Sequence, residues 1–361
     1  MNALTFKRFG FGVAILFSGV AADASGPVQY TVTDLGTLPG YTYSSYATGI
    51  NDSGQVVGNV VASPTNGGGQ QGFLWQSGSG LVGFGPNSYA SAINDSGTVV
   101  GWSYPFGSPQ AAEWPGGIYT GGARSSFALA INNLGQVAGY TSNIEDDAFF
   151  NTPGLGNFAG PGRATGINDS GQVVGYAVLT HNGIQQAFVY NGSLPVHGFG
   201  TLGGNESTAT AINNLRQVVG WSRISSGVYH AFLHNGGGSL VLSDDLGTLG
   251  GDLSQALAIN NLGQVVGWAE TGNSHDAFLY DGGSMLDLNN LIAPGSGWTL
   301  TDATGINATG QICGYGQYGG QQEAFLLTPA PVPEPSTLAL LCVGALGLLG
   351  WAWRRRRTLI A

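Results

Sequence analysis

Chemistry in this chain has to come from few side chains. Five histidines stand at His181, His197, His230, His234 and His275, beside 20 carboxylates and two cysteines. His230 and His234 have the i, i+4 spacing that puts two imidazoles on one metal ion when the segment is helical. On a strand the same spacing separates them by about 13 Å, too far for one ion. The sequence holds no Gly-x-Ser-x-Gly elbow, phosphate loop or zinc-type cysteine pair. No residue is therefore assigned a catalytic or metal-binding role, and no cofactor is expected.

Two sets of polar residues recur at fixed places. Asp52, Asp95 and Asp169 share one position in a repeated Asn-Asp/Asn-x-Gly turn, where calcium could gather oxygens. Asn133, Asn214, Asn261 and Ala308 fill that position elsewhere, and the spacing misses both the EF-hand and the nonapeptide calcium patterns. Turn chemistry explains these residues: Asn closes an Asx turn and Gly takes a positive φ. The second set precedes each Ala-Phe-type pair: Gln71, Gln110, Asp147, Gln186, His230, Asp276 and Glu323. It reads either as a ligand-contacting ring or as side chains that satisfy backbone where repeated units meet. For a catalytic reading Asp244, Asp245, Asp252, Glu113 and Asp302 are the carboxylate candidates, with no pair singled out. Aromatic residues in long loops (Tyr41, Tyr43, Tyr104, Phe106, Trp114, Tyr119, Trp298 and Tyr318) could stack on sugar rings or pack between units.

The elements that position these groups are set by a repeat. Ala47–Gly58 reads AlaThrGlyIleAsnAspSerGlyGlnValValGly, and the pattern returns from Ala90, Ala128, Ala164, Ala209, Ala256 and Ala303. The Asn positions (51, 94, 132, 168, 213, 260 and 307) are spaced by 43, 38, 36, 45, 47 and 47 residues. Each unit reads as four short strands. The first carries Ala and then Gly or Ala, with Ala47 and Gly49 on one face and Tyr46, Thr48 and Ile50 on the other. Such small residues suit the closest approach of sheets, so this strand is innermost. A Val-rich second strand, an Ala-Phe-Leu-type third strand and a fourth strand such as Asp34–Leu38 or Asp245–Leu249 follow. Unit two departs at the third strand, with Ala111-Ala112-Glu113-Trp114. The pattern predicts an all-β fold, a seven-bladed β-propeller of four-stranded blades, with a β-solenoid as the alternative. The seventh blade has no fourth strand after Thr328, so Tyr30–Leu38 is expected to complete it, antiparallel to Glu323–Thr328.

Composition bounds the partners. The chain has 361 residues, 63 of them Gly, with 8% charged, which is too apolar for disorder and too glycine-rich for a helical protein. Between Ser25 and Ala330 lie Arg124, Arg163, Arg216 and Arg223 against 18 acids, a formal charge of −14. That surface repels phosphate backbones and excludes nucleic acid as a partner. Cys313 is the one cysteine of this region, so no disulfide framework supports it.

The two ends carry other signals. Lys7 and Arg8 precede the apolar stretch Phe9–Val20 and Ala22-Asp23-Ala24, a secretory signal cut after Ala24 or else a membrane anchor. At the other end Pro333, Glu334 and Pro335 precede the uncharged run Leu338–Trp353 and then Arg354, Arg355, Arg356 and Arg357. A helix of that run spans about 24 Å, enough to cross a membrane with its Thr and Trp flanks, and the arginines hold its end cytoplasmic. The expected domains are residues 1–24, the repeat region 25–330, and a tail 331–361 with a transmembrane helix at 338–353.

The tail resembles the PEP-CTERM sorting signal of Gram-negative, exopolysaccharide-making bacteria. This resemblance implies an exosortase-type membrane transpeptidase as partner, cutting near Pro333-Glu334-Pro335; a plain membrane anchor is the alternative. The repeats resemble the HAF family of bacterial extracellular proteins, in His230-Ala231-Phe232 and in Asp245-Leu246-Gly247-Thr248-Leu249-Gly250-Gly251 through Gly267. That family implies no catalytic activity. The expectation is an exported, non-enzymatic surface or matrix protein that binds exopolysaccharide or a surface protein, first membrane-anchored and then at the cell surface. Its rival is a secreted carbohydrate-active enzyme, a glycosidase or lyase.

Overall fold

Each Asn-x-x-Gly turn folds the chain back as a tight hairpin, and the Val-rich run that follows becomes a buried strand. The computed structural model describes residues 28–331, apart from 65–67, 106, 117–124, 143–145, 152–161, 179–182 and 193–195. The expected signal sequence over residues 1–24, the Pro-Glu-Pro segment, the 338–353 run, Phe106 and Tyr119 lie outside the described residues. Among the described residues no helix is long and apolar enough to cross a membrane.

The fold is an all-β propeller. Its strands form seven antiparallel sheets that follow one another along the chain, five of four strands and two of three. The first comprises Ser44–Ile50, Val56–Val61, Gln70–Gln76 and Gly80–Pro86. The second comprises Ser88–Ile93, Val99–Ser103 and Gln110–Trp114, and the third Ser125–Ile131, Val137–Ser142 and Asp146–Asn151. These two three-stranded sheets depart from the uniform four-stranded pattern read from the sequence. The chain that follows them, 117–124 and 152–161, is outside the described residues.

The last sheet is sewn by both ends of the repeat region, as the missing fourth strand implied. Tyr30–Asp34 runs antiparallel to the closing strand, pairing Tyr30 with Pro329 and Asp34 with Phe325. This seam strand is shorter than the expected Tyr30–Leu38. It ends where the Leu35 N–H donates to the Ala324 carbonyl at 3.0 Å, and Leu38 instead bridges Tyr41.

The inner strands correct the alternation read from the sequence. In every sheet the pairing slips by one residue between the repeat Ala and the Gly or Ala two positions on, as at Ala47/Gly49 and Ala303/Gly305. A β-bulge there adds one unpaired residue and breaks the period of two. In four units the extra residue is Thr, whose hydroxyl reaches the Ala carbonyl of the next inner strand: Thr48 to Ala90, Thr165 to Ala209, Thr210 to Ala256 and Thr304 to Ala47, at 2.8–3.0 Å. Small residues follow because neighbouring inner strands touch here. A Cβ on Gly166 would lie 3.1 Å from the Ala211 Cα.

The hairpin turns show why Gly recurs at their fourth place. Six glycines sit there at φ 73–83°, and Arg216 adopts φ 66° in unit five. A side chain in that region costs roughly 1–2 kcal/mol, partly offset by the lower unfolded-chain entropy of a non-Gly residue. Arg216→Gly is therefore expected to stabilise the protein by about 1 kcal/mol, read as a higher midpoint in urea. An unchanged or lower midpoint would show that the Arg216 side chain compensates its strained backbone.

Candidate functional site

The seven repeat asparagines meet around the axis and lock the propeller at one mouth. Each Nδ2 donates to the backbone carbonyl of the next Asn: 51 to 94, 94 to 132, 132 to 168, 168 to 213, 213 to 260, 260 to 307, and 307 back to 51, at 2.9–3.1 Å. All seven are buried. Each Oδ1 also accepts the backbone N–H four residues on, closing its own turn, as from Gln55 and Gln264.

A second ring lies outside the first. The N–H after each Asn donates to the Asp or Asn of the next unit: Asp52 to Asp95, Asp95 to Asn133, Asn133 to Asp169, Asp169 to Asn214, Asn214 to Asn261, and Ala308 to Asp52, at 2.8–2.9 Å. Ala308 has no side-chain acceptor, so this ring is open at the step from Asn261. The Asn133 amide lies between two carboxylates, donating to Asp95 at 2.8 Å and to Asp169 at 3.3 Å, and the Asn214 amide donates to Asp169 at 2.8 Å. These acids therefore serve the blade-to-blade joints. Among the described residues no three His, Cys, Asp or Glu side chains gather as a metal centre. The mouth that the rings enclose is a cavity of about 230 Å3.

The seven polar residues before the Ala-Phe pairs do not line that mouth. They stand on third strands, beside joints between sheets. Gln110 and Asp276 are buried, with Gln110 donating to the Ser108 hydroxyl at 3.3 Å and Asp276 accepting from Ser274 at 2.6 Å. His230 faces Asp245 at 2.9 Å, and Glu323 accepts from Ser45 of the neighbouring sheet at 2.7 Å. Burial raises the Glu323 carboxyl above its ordinary pKa, against the opposing Ser45 hydrogen bond. Gln71 and Gln186 are half-buried, and the side chain of Asp147 is outside the described residues. The group is a series of separate positions along the joints.

What the joints need is supplied by a residue that the sequence reading passed over. Ser45, Ser88, Ser126, Ser207 and Ser254 lie two places before the repeat Ala and are buried. Their hydroxyls accept the N–H of Ala324, Gly72, Ala111, Ala187 and Ala231 in the preceding sheet at 2.8–3.0 Å. The Ser-x-Ala spacing was the available signal.

The carboxylates considered for catalysis are dispersed in the same way. Asp244 is buried against His234 at 2.9 Å and accepts the Val241 N–H. Asp245 is held by His230 and the Gly247 N–H, while Asp302 lies 3.3 Å from His275. Asp252 is exposed. Burial pushes the Cys313 thiol up to about 12, leaving it protonated and inert near neutrality.

Aromatic side chains gather at the opposite end of the inner strands, about 15 Å from the Asn ring along the strand. They come from two repeat positions: the residue before the repeat Ala, and the residue after Val-Val-Gly in the second strand. The latter is aromatic in six units (Trp102, Tyr140, Tyr176, Trp221, Trp268, Tyr315) and Asn59 in the first. Tyr89 stacks on Trp102 at 4.9 Å, Trp102 meets Phe127 at 5.3 Å, and Phe127 stacks on Tyr140 at 4.6 Å. The Arg163 guanidinium lies 4.1 Å over the Tyr140 ring, and Tyr104 approaches Tyr89 at 6.0 Å. This arc begins at the exposed Tyr104, runs over half-buried rings of the second and third sheets and ends on the fourth. A shorter one runs through Trp221, Tyr229, Trp268 and His275. Of the loop aromatics singled out in the sequence, Tyr104 joins the first arc, and Trp298 stacks on Tyr318 elsewhere at 4.8 Å.

Residues 331–357 match the PEP-CTERM protein-sorting motif, and residues 206–324 match a family described as a protein of unknown function, DUF3466. The second match spans units five to seven and is to that family rather than to the HAF repeats that the same residues resemble. The sorting motif marks an exported protein handled by an exosortase and anchored in the membrane before processing. No curated protein matches the sequence. Among solved structures, the β-propeller domain of the Trilobed protease from Pyrococcus furiosus is similar at a TM-score of 0.48 and 9% identity, over 81% of this chain and 97% of that one. An acylaminoacyl peptidase in complex with Z-Gly-Gly-Phe-chloromethyl ketone gives a TM-score of 0.49 and 11% identity over 82% of this chain and 54% of that one. Pyrococcus horikoshii acylaminoacyl peptidase gives 0.48 and 11% over 79% and 52%. This chain thus spans about half the length of the two peptidases.

Proposed function

We propose that this is an exported, non-enzymatic surface or matrix protein whose seven-bladed, HAF-like propeller binds exopolysaccharide. The reading rests on the arc from Tyr104 to Arg163. Flat, half-buried rings that run across successive sheets complement the apolar faces of successive pyranose units, and Tyr and Trp keep a polar edge for hydroxyls. The formal charge of −14 across the repeat region disfavours a polyanion and favours a neutral glycan. Of the third-strand polar residues, Gln110, Asp147 and Gln186 stand on the sheets that carry the arc and are its secondary contacts, while Gln71, His230, Asp276 and Glu323 stand on other sheets.

Delivery uses a signal sequence over residues 1–24 and the tail over 331–361, on a Gram-negative cell. The 338–353 helix holds the chain until an exosortase cuts near Pro333-Glu334-Pro335. Proline keeps that segment out of a helix and accessible beside the membrane. Intact-mass analysis of protein from the cell surface is expected to show loss of Arg354–Ala361, and material retaining them in an exosortase-active host would leave a plain anchored propeller.

The binding reading is tested with the organism's own exopolysaccharide. Saturable binding that quenches Trp fluorescence, without release of reducing sugar, is the expected result. Phe127→Ala should weaken it about tenfold. Release of reducing sugar would replace binding with hydrolysis, and no binding would remove the proposal.

A further inference from the structure

The second sheet breaks the repeat where the others are most uniform. In six sheets a third-strand Phe pairs with the second-strand Gly: Phe73 with Gly58, Phe149 with Gly139, Phe188 with Gly175, Phe232 with Gly220, Phe278 with Gly267 and Phe325 with Gly314. The rings of Phe73, Phe188, Phe232, Phe278 and Phe325 are 0% exposed and plug their blades. The same register position in the second sheet is Ala112, paired with Gly101. A benzyl group is thus missing where the architecture otherwise requires one.

The place has not closed over. Ala112 borders a cavity of about 320 Å3, within the range of small-molecule sites, which begins near 300 Å3. Its walls carry Phe84, Ser88, Ser103, Tyr104, Glu113 and Trp114. Phe84, from the preceding sheet, stacks on Trp114 at 4.8 Å and 16°, so the aromatic surface that plugs other blades here forms a wall. Tyr104 is 40% exposed and also contacts Tyr89, the start of the aromatic arc. Pocket and arc are therefore one surface, joined through Tyr104.

We infer that this pocket is the terminal subsite of the glycan face, taking one neutral pyranose unit at a chain end while the next units pass over Tyr104 onto Tyr89, Trp102 and Phe127. The inference rests on the polysaccharide reading and adds where the chain begins. An apolar stacked wall together with hydroxyl and carboxylate groups is the lining that a sugar ring matches, having one apolar face and a rim of hydroxyls.

The test uses full-length protein with glucose, mannose and galactose and their neutral oligosaccharides up to six units, followed by calorimetry and Trp fluorescence. Wild type is expected to bind at least one series, more tightly as the chain lengthens. Ala112→Phe restores the residue of the other blades and should melt at or above the wild-type temperature. It should lose about tenfold or more in affinity for mono- and disaccharides. Tyr104→Ala, at an exposed site, should weaken every length, and Phe127→Ala only the longer ones. If Ala112→Phe fails to fold, Tyr104→Ala and Trp114→Leu decide the matter. Wild-type binding of all lengths by the pocket variants, alongside a weakened Phe127→Ala, would overturn the subsite and leave the face standing. Failure of wild type to bind any neutral sugar, together with no binding to the native exopolysaccharide, would overturn both.

Discussion

Deletion of residues 25–39 is expected to lower the melting temperature by about 10 °C or more, because these residues hold the seam of the ring. Tyr30–Asp34 is the outermost strand of the sheet that ends the repeat region, and no other strand borders Gln321–Pro329 on that side. Its loss leaves a row of unpaired backbone groups on a long edge. It also opens two cores. Tyr30 is 5% exposed and packs with Leu288, Leu291, Ile292 and Leu327, while Leu35 is 4% exposed and packs with Phe73, Ala324 and Leu326. Each such side chain contributes about 1.5–3 kcal/mol by burial. A synthetic peptide of residues 25–39 added to the truncated protein should restore part of the lost stability. An unchanged melt after deletion would mean that the ring does not depend on this strand.

The seam also has a pH signature. Burial, helped by the Asp281 charge, pushes the Tyr30 phenol up to about 12. Its neutral form is favoured in the folded state, so its contribution is complete below pH ~10, the unfolded value, and is lost as pH rises from there through 12. Tyr30→Phe should flatten that alkaline loss.

Much of this architecture was legible in the residues. The Asn-x-x-Gly turns gave the hairpins, because an Asx turn with a left-handed Gly is a local structure that needs little help from the rest of the fold. The seam was legible as an accounting argument: a closing sheet lacking a fourth strand and an opening segment lacking a partner. The bulge was not, because Thr48 and its counterparts look like ordinary members of an alternating strand until the register is seen. The polar residues before Ala-Phe recur like a ring in sequence, yet recurrence places them at equivalent joints and does not bring them together. The aromatic arc was hidden for the opposite reason. Its members come from two strand positions in different units and converge only when sheets are set side by side. Ala112 was visible as a departure from the Phe pattern, but its meaning depends on Phe84 and Tyr104, which come from other elements.

Asn260→Asp is expected to destabilise the protein by about 3 kcal/mol at neutral pH, although it changes one atom. The native amide is 5% exposed and fully used. Its Nδ2 donates to Gln264 Oε1 at 2.8 Å and to the Asn307 carbonyl at 3.0 Å, while Oδ1 accepts from the Leu262 and Gln264 N–H groups at 3.0 and 3.1 Å. A carboxylate keeps both accepted bonds but turns two donor contacts into oxygen facing oxygen, with a charge taken out of water. Asn260→Ala loses all four contacts and carries no charge, so it serves as the uncharged reference for the pH dependence. Protonation removes the charge and restores one donor, so the Asp variant should recover stability as pH falls, while the Ala variant should not. The sign follows from the carboxyl being easier to protonate in the folded ring than in the unfolded chain. The outer ring is already open between Asn261 and Ala308, so Asn260 and Asn307 carry that blade joint with less support than their counterparts. The same Asn-to-Asp change at Asn132, flanked by the intact outer contacts of Asn133 with Asp95 and Asp169, should therefore cost less. Equal losses at the two sites would show that the outer ring contributes nothing to holding neighbouring blades.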